Sequence, residues 1–303
     1  MRISRSWRRP GIAIVLVVLA VWLAWVPPAA DRERAAPAGT ALESGTARTR
    51  ADVRSPTPSP PPVPTTRAQV MEAIRRLRPD DGDARYLLYR HVHGCIDVLV
   101  IGLDEATARL RKAIGPAPDI ERRVDAFRAL KDPCRPYERD ATIVATAQRL
   151  LHEAVRIGDP RAAGLWLLLN ARELGAAERD RLVGLVLASL DPEALLSLAK
   201  VAQVNAVALF EGKPVPGSRL GEYNLAWELA ACDLGRECGA QSDFVLDLCA
   251  HQGFCGSASL EESYRRLVAD GPADWNEVQR FRAGIVAAIG RRDFRSLGPV
   301  PGS

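Results

Sequence analysis

The chain has 303 residues and a formal charge of +4, but nine arginines against four acids give residues 1–66 +5 and leave −1 for the rest. A near-neutral body lacks the cationic excess that neutralising a phosphate backbone demands, so nucleic-acid binding is excluded as a main activity. Residues 67–303 are long enough to bury a core unaided, and no cofactor is called for to explain their stability.

Residues 1–9 carry Arg2, Arg5, Arg8 and Arg9, and an uncharged run of 21 residues, Pro10 to Ala30, follows. At about 1.5 Å per residue a helix of that length reaches across a bilayer core. Arginines on one side and the balanced Asp31 to Arg34 on the other orient the N-terminus to the cytoplasm, and Trp22 and Trp25 fall near the outer interface. Residues 10–30 therefore predict a transmembrane signal anchor in the inner membrane, with the remainder in the periplasm. The alternative is a cleaved signal peptide and a secreted or periplasmic product; small residues at Ala36 and Ala38 lie somewhat far out for that. Residues 31–66 read as a Pro-rich, disordered spacer, since six prolines between Ser55 and Pro64 enforce an extended polyproline helix.

From residue 67 to residue 297 apolar residues recur at helical spacing, which predicts an all-α, antiparallel helical domain followed by a short disordered tail, 298–303. Val70, Ile74 and Leu77 share one face. Further helices are expected over about 83–99, 103–114, 119–131, 139–157, 160–173, 176–189, 192–210, 220–234, 241–251, 258–269 and 274–290, with Ile96–Ile101 as one strand-like piece. Asp159-Pro160 and Asp191-Pro192 pair an N-cap acceptor with proline at the first helical position.

These two starts lie 32 residues apart, and the same register places Ala226 and Ala258. Together with the small residues Ala154, Gly158 and Ala162, they give residues 139–270 a turn that resembles the inter-helix turn of tetratricopeptide-like repeat proteins. That resemblance implies an α-solenoid of helix-turn-helix pairs serving as a protein-binding scaffold. The family's aromatic positions are not matched, and a plain antiparallel helical domain is the alternative.

Six cysteines in an exported chain point to disulfides. Cys232 and Cys238, and Cys249 and Cys255, are two copies of one Cys-x5-Cys-Gly pattern with internal glycines Gly235 and Gly253, suited to the left-handed residue that ends a helix. Of fifteen pairings the preferred set is Cys232 with Cys238, Cys249 with Cys255 and, by elimination, Cys95 with Cys134. A crossed pairing of the last four is the competing set, and a four-thiolate zinc site fits poorly because its spacers are usually two to four residues.

No catalytic or cofactor-binding residue is assigned. His152-Glu153 begins like a zinc-protease helix, but Arg156 stands where the second histidine is required. His91 and His93 point to different sides of a helix, His93 reads as packing near a disulfide, and His251 as capping a helix end. Glu262-Ser263 resembles the Glu-Ser pair of lytic transglycosylases without the segment that follows it there, and reads as a capped helix start. The paired arginines 122–123, 265–266 and 291–292 read as solvated helix faces. The expected function is a membrane-tethered module binding an unidentified envelope protein, with a cell-envelope hydrolase as the alternative.

Overall fold

The computed structural model describes residues 80–138, 140, 142–205, 208–269 and 271–298, with 72, 76 and 78. All belong to one compact unit, Pro61–Ser303. The expected anchor at 10–30, the spacer at 31–66, the apolar face Val70, Ile74 and Leu77 and most of the tail lie outside the described residues. Among the described residues no helix is long and apolar enough to cross a membrane.

The unit is all-helical, with a two-residue strand pair as a minor element. Its helices are α1 (Gly82–His93), α2 (Ile96–Ile101), α3 (Leu103–Ile114), α4 (Ile120–Lys131), α5 (Thr142–Ile157), α6 (Pro160–Asn170), α7 (Ala176–Ser189), α8 (Pro192–Val204), α9 (Leu220–Asp233), α10 (Asp243–Gln252), α11 (Leu260–Ala269) and α12 (Trp275–Gly290). Strands β1 (Leu209–Phe210) and β2 (Lys213–Pro214) pair antiparallel between α8 and α9. One run of contacts passes from α1 through α5, α6, α8 and α9 to α12, and a second joins α3, α4, α10 and α11. Both share one continuous apolar core, from Tyr86 to Leu297.

Local chemistry sets the boundaries. Asp159 and Asp191 hold nearly identical extended conformations, and each carboxylate accepts the two amides that follow its proline. The two helices these caps start run side by side, and Gly164 lets them meet: a Cβ there would stand 2.8 Å from the Ala194 carbonyl oxygen. The expected helix over 83–99 breaks at Gly94-Cys95. Beyond the break, Ile96–Ile101 is helical rather than strand-like, with Val98 and Leu99 turned into the core and Val100 exposed. The helix expected to reach 210 ends at Val204. Phe210 instead packs edge-on against Phe281 at 4.8 Å, and Tyr223 ties that corner down by donating its hydroxyl to the Leu209 carbonyl at 2.7 Å.

The six cysteines form three disulfides, Cys95–Cys134, Cys232–Cys238 and Cys249–Cys255. Gly235 and Gly253 have φ of 111° and 81°, the left-handed turn that brings the second cysteine of each short loop back to the first.

Candidate functional site

A groove of about 460 Å³ lies between α4 and α10. Arg122, Asp125, Ala126 and Ala129 recur at helical spacing along α4 and form one wall; Val245, Leu246 and Cys249 of α10 form the other. Its ends are closed by Ala240-Gln241 and by Cys255–Ala258, the residues that leave the two short cysteine loops. Small side chains and the Cys249–Cys255 disulfide thus make an apolar trough. Arg122, Asp125 and the Gln241 amide supply polar groups at its rim.

The walls are tied by charged groups acting on backbone. Arg123 donates to the carbonyls of Ala250 at 3.1 Å and His251 at 2.6 Å, so a guanidinium of α4 caps the C-terminus of α10. Burial lowers the pKa of Arg123, and the nearby Asp119 carboxylate works against that shift. Arg266 on α11 donates to the Cys255 carbonyl and the Ser257 hydroxyl, at 3.1 and 3.3 Å, fixing the loop that closes the groove. Arg123 is therefore a half-buried tie and not the solvated face expected of it, whereas Arg266 is exposed as expected and ties the loop as well. A guanidinium can reach helix-end carbonyls that sequence-adjacent groups cannot. Ser259 accepts the Glu262 amide, and the Glu262 carboxylate accepts the amide of Ala258, a groove residue. That reciprocal cap is the role of the Glu262-Ser263 segment.

Behind this wall, Arg236 sits inside the Cys232–Cys238 loop. It lies 2.7 Å from the Glu228 carboxylate and 4.0 Å above the Phe244 ring, while Lys200 of α8 approaches the other Glu228 oxygen at 2.9 Å. Burial and the Glu228 charge push the neighbouring Tyr264 phenol up, so it stays protonated. The cluster locks the first cysteine loop between α8, α9 and α10.

The histidines are dispersed. His91 lies 3.4 Å from the Tyr137 hydroxyl, and burial holds its imidazole below the ordinary range. His93 is exposed, and its ring lies tilted against Tyr89 at 5.1 Å. His251 lies in the last turn of α10, where its ring meets Phe127 edge-on at 6.0 Å, and the hydrogen bonds to that helix end come from Arg123. His152 is exposed on α5 and meets Trp166 edge-on at 5.7 Å.

Sequence reasoning missed the groove. Its signal was small residues on otherwise polar surfaces: Ala126 and Ala129 on α4, and Gly-Ala or Gly-Ser-Ala after each second cysteine. No group of His, Cys, Asp or Glu side chains placed to hold a metal occurs among the described residues. No family model matches the chain, and neither a curated protein nor a solved structure matches it.

Proposed function

We propose that the chain is a membrane-tethered protein of the cell envelope whose helical domain, 67–297, binds a protein partner through the groove between α4 and α10. The carrying observation is the groove itself: a trough of about 460 Å³ lies in the range of binding pockets, with an apolar body and a few polar groups at its edge. The small side chains of its walls suit an extended segment, and Arg122 and Asp125 offer opposite charges to the flanks of that segment. The anchor at 10–30 and the spacer at 31–66 supply display in the periplasm. A solenoid arrangement of 139–270 is part of the same reading, supported by the matched caps at Asp159 and Asp191 and by the fully buried alanines 162, 194 and 226 at the same offset.

The test compares two full-length variants in cells. Filling the groove with Ala129→Trp is expected to abolish function while leaving the melting temperature near wild type, because Ala129 is exposed. The combined variant His91→Gln, His93→Gln, Glu262→Gln is expected to retain function, glutamine keeping the acceptor for the Ala258 amide. The reverse outcome, or hydrolysis of glycan, peptide or ester by purified protein that this triple variant loses, would replace the binding reading with the hydrolase.

A further inference from the structure

Of the three disulfides, one lines the groove. Cys249 stands in the α10 wall and Cys255 in the loop that shuts one end, so their bond is part of the groove's surface. The Cys95–Cys134 and Cys232–Cys238 bonds are not.

The surroundings of the sulfur atoms differ as well. Cys249 Sγ lies 3.6 Å from the carbonyl oxygen of Arg122, on the opposite wall, and Cys255 Sγ lies 3.5 Å from the carbonyl oxygen of Cys249. A disulfide sulfur carries no proton, so these are contacts only. A thiol at either position would find its acceptor already in place. In each of the other pairs one sulfur alone has such a carbonyl, four residues earlier in sequence: His91 for Cys95 and Glu228 for Cys232, both at 3.3 Å. Cys134 and Cys238 have none among the described residues.

The Cys249–Cys255 loop also has ties that do not pass through sulfur. The Phe254 amide donates to the Leu248 carbonyl at 3.3 Å, the Ser257 hydroxyl to the Phe254 carbonyl at 3.2 Å, and Arg266 to the Cys255 carbonyl at 3.1 Å. Opening the bond therefore leaves the two thiols side by side, and a loop this short gives up little chain entropy. Exposure does not single the pair out, since Cys232 and Cys238 are half-buried while Cys249 and Cys255 are buried. Their acceptors and their place in the groove do.

We propose that Cys249 and Cys255 form a reversible dithiol–disulfide couple that regulates the groove, which receives its partner in the oxidised form. The inference rests on the groove reading. A dithiol reductant drives the opening: its thiolate attacks Cys255 Sγ, the sulfur–sulfur bond breaks, and the electron pair leaves on Cys249 Sγ, which takes up a proton and donates to the Arg122 carbonyl. The reductant's second thiolate then attacks its own sulfur in the mixed disulfide, closing the reductant's disulfide and releasing Cys255 Sγ to be protonated. Two electrons and two protons pass to the protein. The sulfur atoms part to van der Waals distance. With Cys249 held to α4, the displacement falls on residues 255–258, which close the groove's end.

The test equilibrates the full chain with graded dithiothreitol, without denaturant, then alkylates and maps the cysteines by peptide mass spectrometry. Cys249 and Cys255 should react at reductant concentrations about tenfold or more below those needed for Cys95 and Cys134. Helical circular dichroism should not change, and removing the reductant should restore the bond. Reduction should shift the methyl resonances of Ala126 and Ala129 but not those of Ala162 and Ala194, and should do so equally in the variant Cys232→Ser, Cys238→Ser. In cells, a photo-activatable side chain at position 129 should give its product in wild type and in that variant. The variant Cys249→Ser, Cys255→Ser, whose hydroxyls keep a donor at both positions, should give about fivefold less or lower. The proposal is overturned if the Cys249–Cys255 bond yields only together with Cys95–Cys134, if its reduction melts the helices, or if the groove resonances stay in place. It is also overturned if the serine variant at 249 and 255 cross-links as wild type does. No product from wild type would overturn the groove reading itself, and this inference with it, so the two failures are distinct.

Discussion

Residues 142–204 and residues 232–260 both arrange short helices, and they do so by different means. The first region has no cysteine. Two of its helices, α6 and α8, are started by Asp-Pro caps, and apolar burial holds them close enough that Gly164 leaves no room for a side chain. The second has shorter helices and wide turns, and relies on two six-residue-separated disulfides and on arginines bonded to carbonyls. Burial scales with contact area, and helices of 11 to 16 residues offer somewhat more of it than the ten-residue α10 and α11. The groove lies against the cross-linked region: its walls are α4 and α10, and the residues that leave the two cysteine loops close its ends.

That contrast can be broken most directly at Gly164. A valine there must displace α8 backbone, so Gly164→Val is expected to destabilise by about 3 kcal/mol in denaturant unfolding. A change under about 1 kcal/mol would mean that the α6–α8 contact is not a packing constraint. Next in size, the pair Cys249→Ala, Cys255→Ala should cost about 2 kcal/mol by loop-closure entropy, and hydrogen exchange should rise in residues 249–260 and not in 160–204. Equal acceleration in both regions would erase the distinction. Arg123→Met, which leaves the Ala250 and His251 carbonyls without their donor, should cost about 1–2 kcal/mol and loosen the end of α10. Asp191→Ala should cost about 1 kcal/mol through α8 alone.

The smallest effect lies outside both regions. Burial lowers the folded-state pKa of His91, so its contribution is present above the ordinary histidine range and is lost as pH falls through the depressed folded value. The melting temperature should therefore drop on going from pH 7 to pH 5, and His91→Gln should flatten that part of the slope.

Much of both regions was legible in the sequence where the determinants are local. Asp159-Pro160 and Asp191-Pro192 announce helix starts within three residues, and Gly235 and Gly253 announce the reversals that close the cysteine loops. The pairing expected for the six cysteines is the pairing found. The groove was not legible. Arg123 reaches carbonyls 127 and 128 residues away, and a spacing pattern holds no trace of such a contact. Ala126 and Ala129 read equally as helix filler, and only the approach of α10 turns their smallness into a floor. Ile96–Ile101 misled for the opposite reason: a short run of β-branched residues suggests a strand, whereas the chain makes a six-residue helix beside the disulfide-bonded Cys95. Phe210 was assigned to α8 by periodicity, whereas the ring contacts with Phe281 that draw it away are long-range.

The central claim is that the groove between α4 and α10 receives a protein partner. Its most direct test is a photo-activatable side chain placed at position 129 of the full-length chain in living cells, with one at Arg181, exposed on α7 away from the groove, as the control. The account predicts one discrete cross-linked product from position 129 that is absent from position 181 and is lost when Asp125→Lys is added. No product from 129, or the same products from both positions, would contradict it.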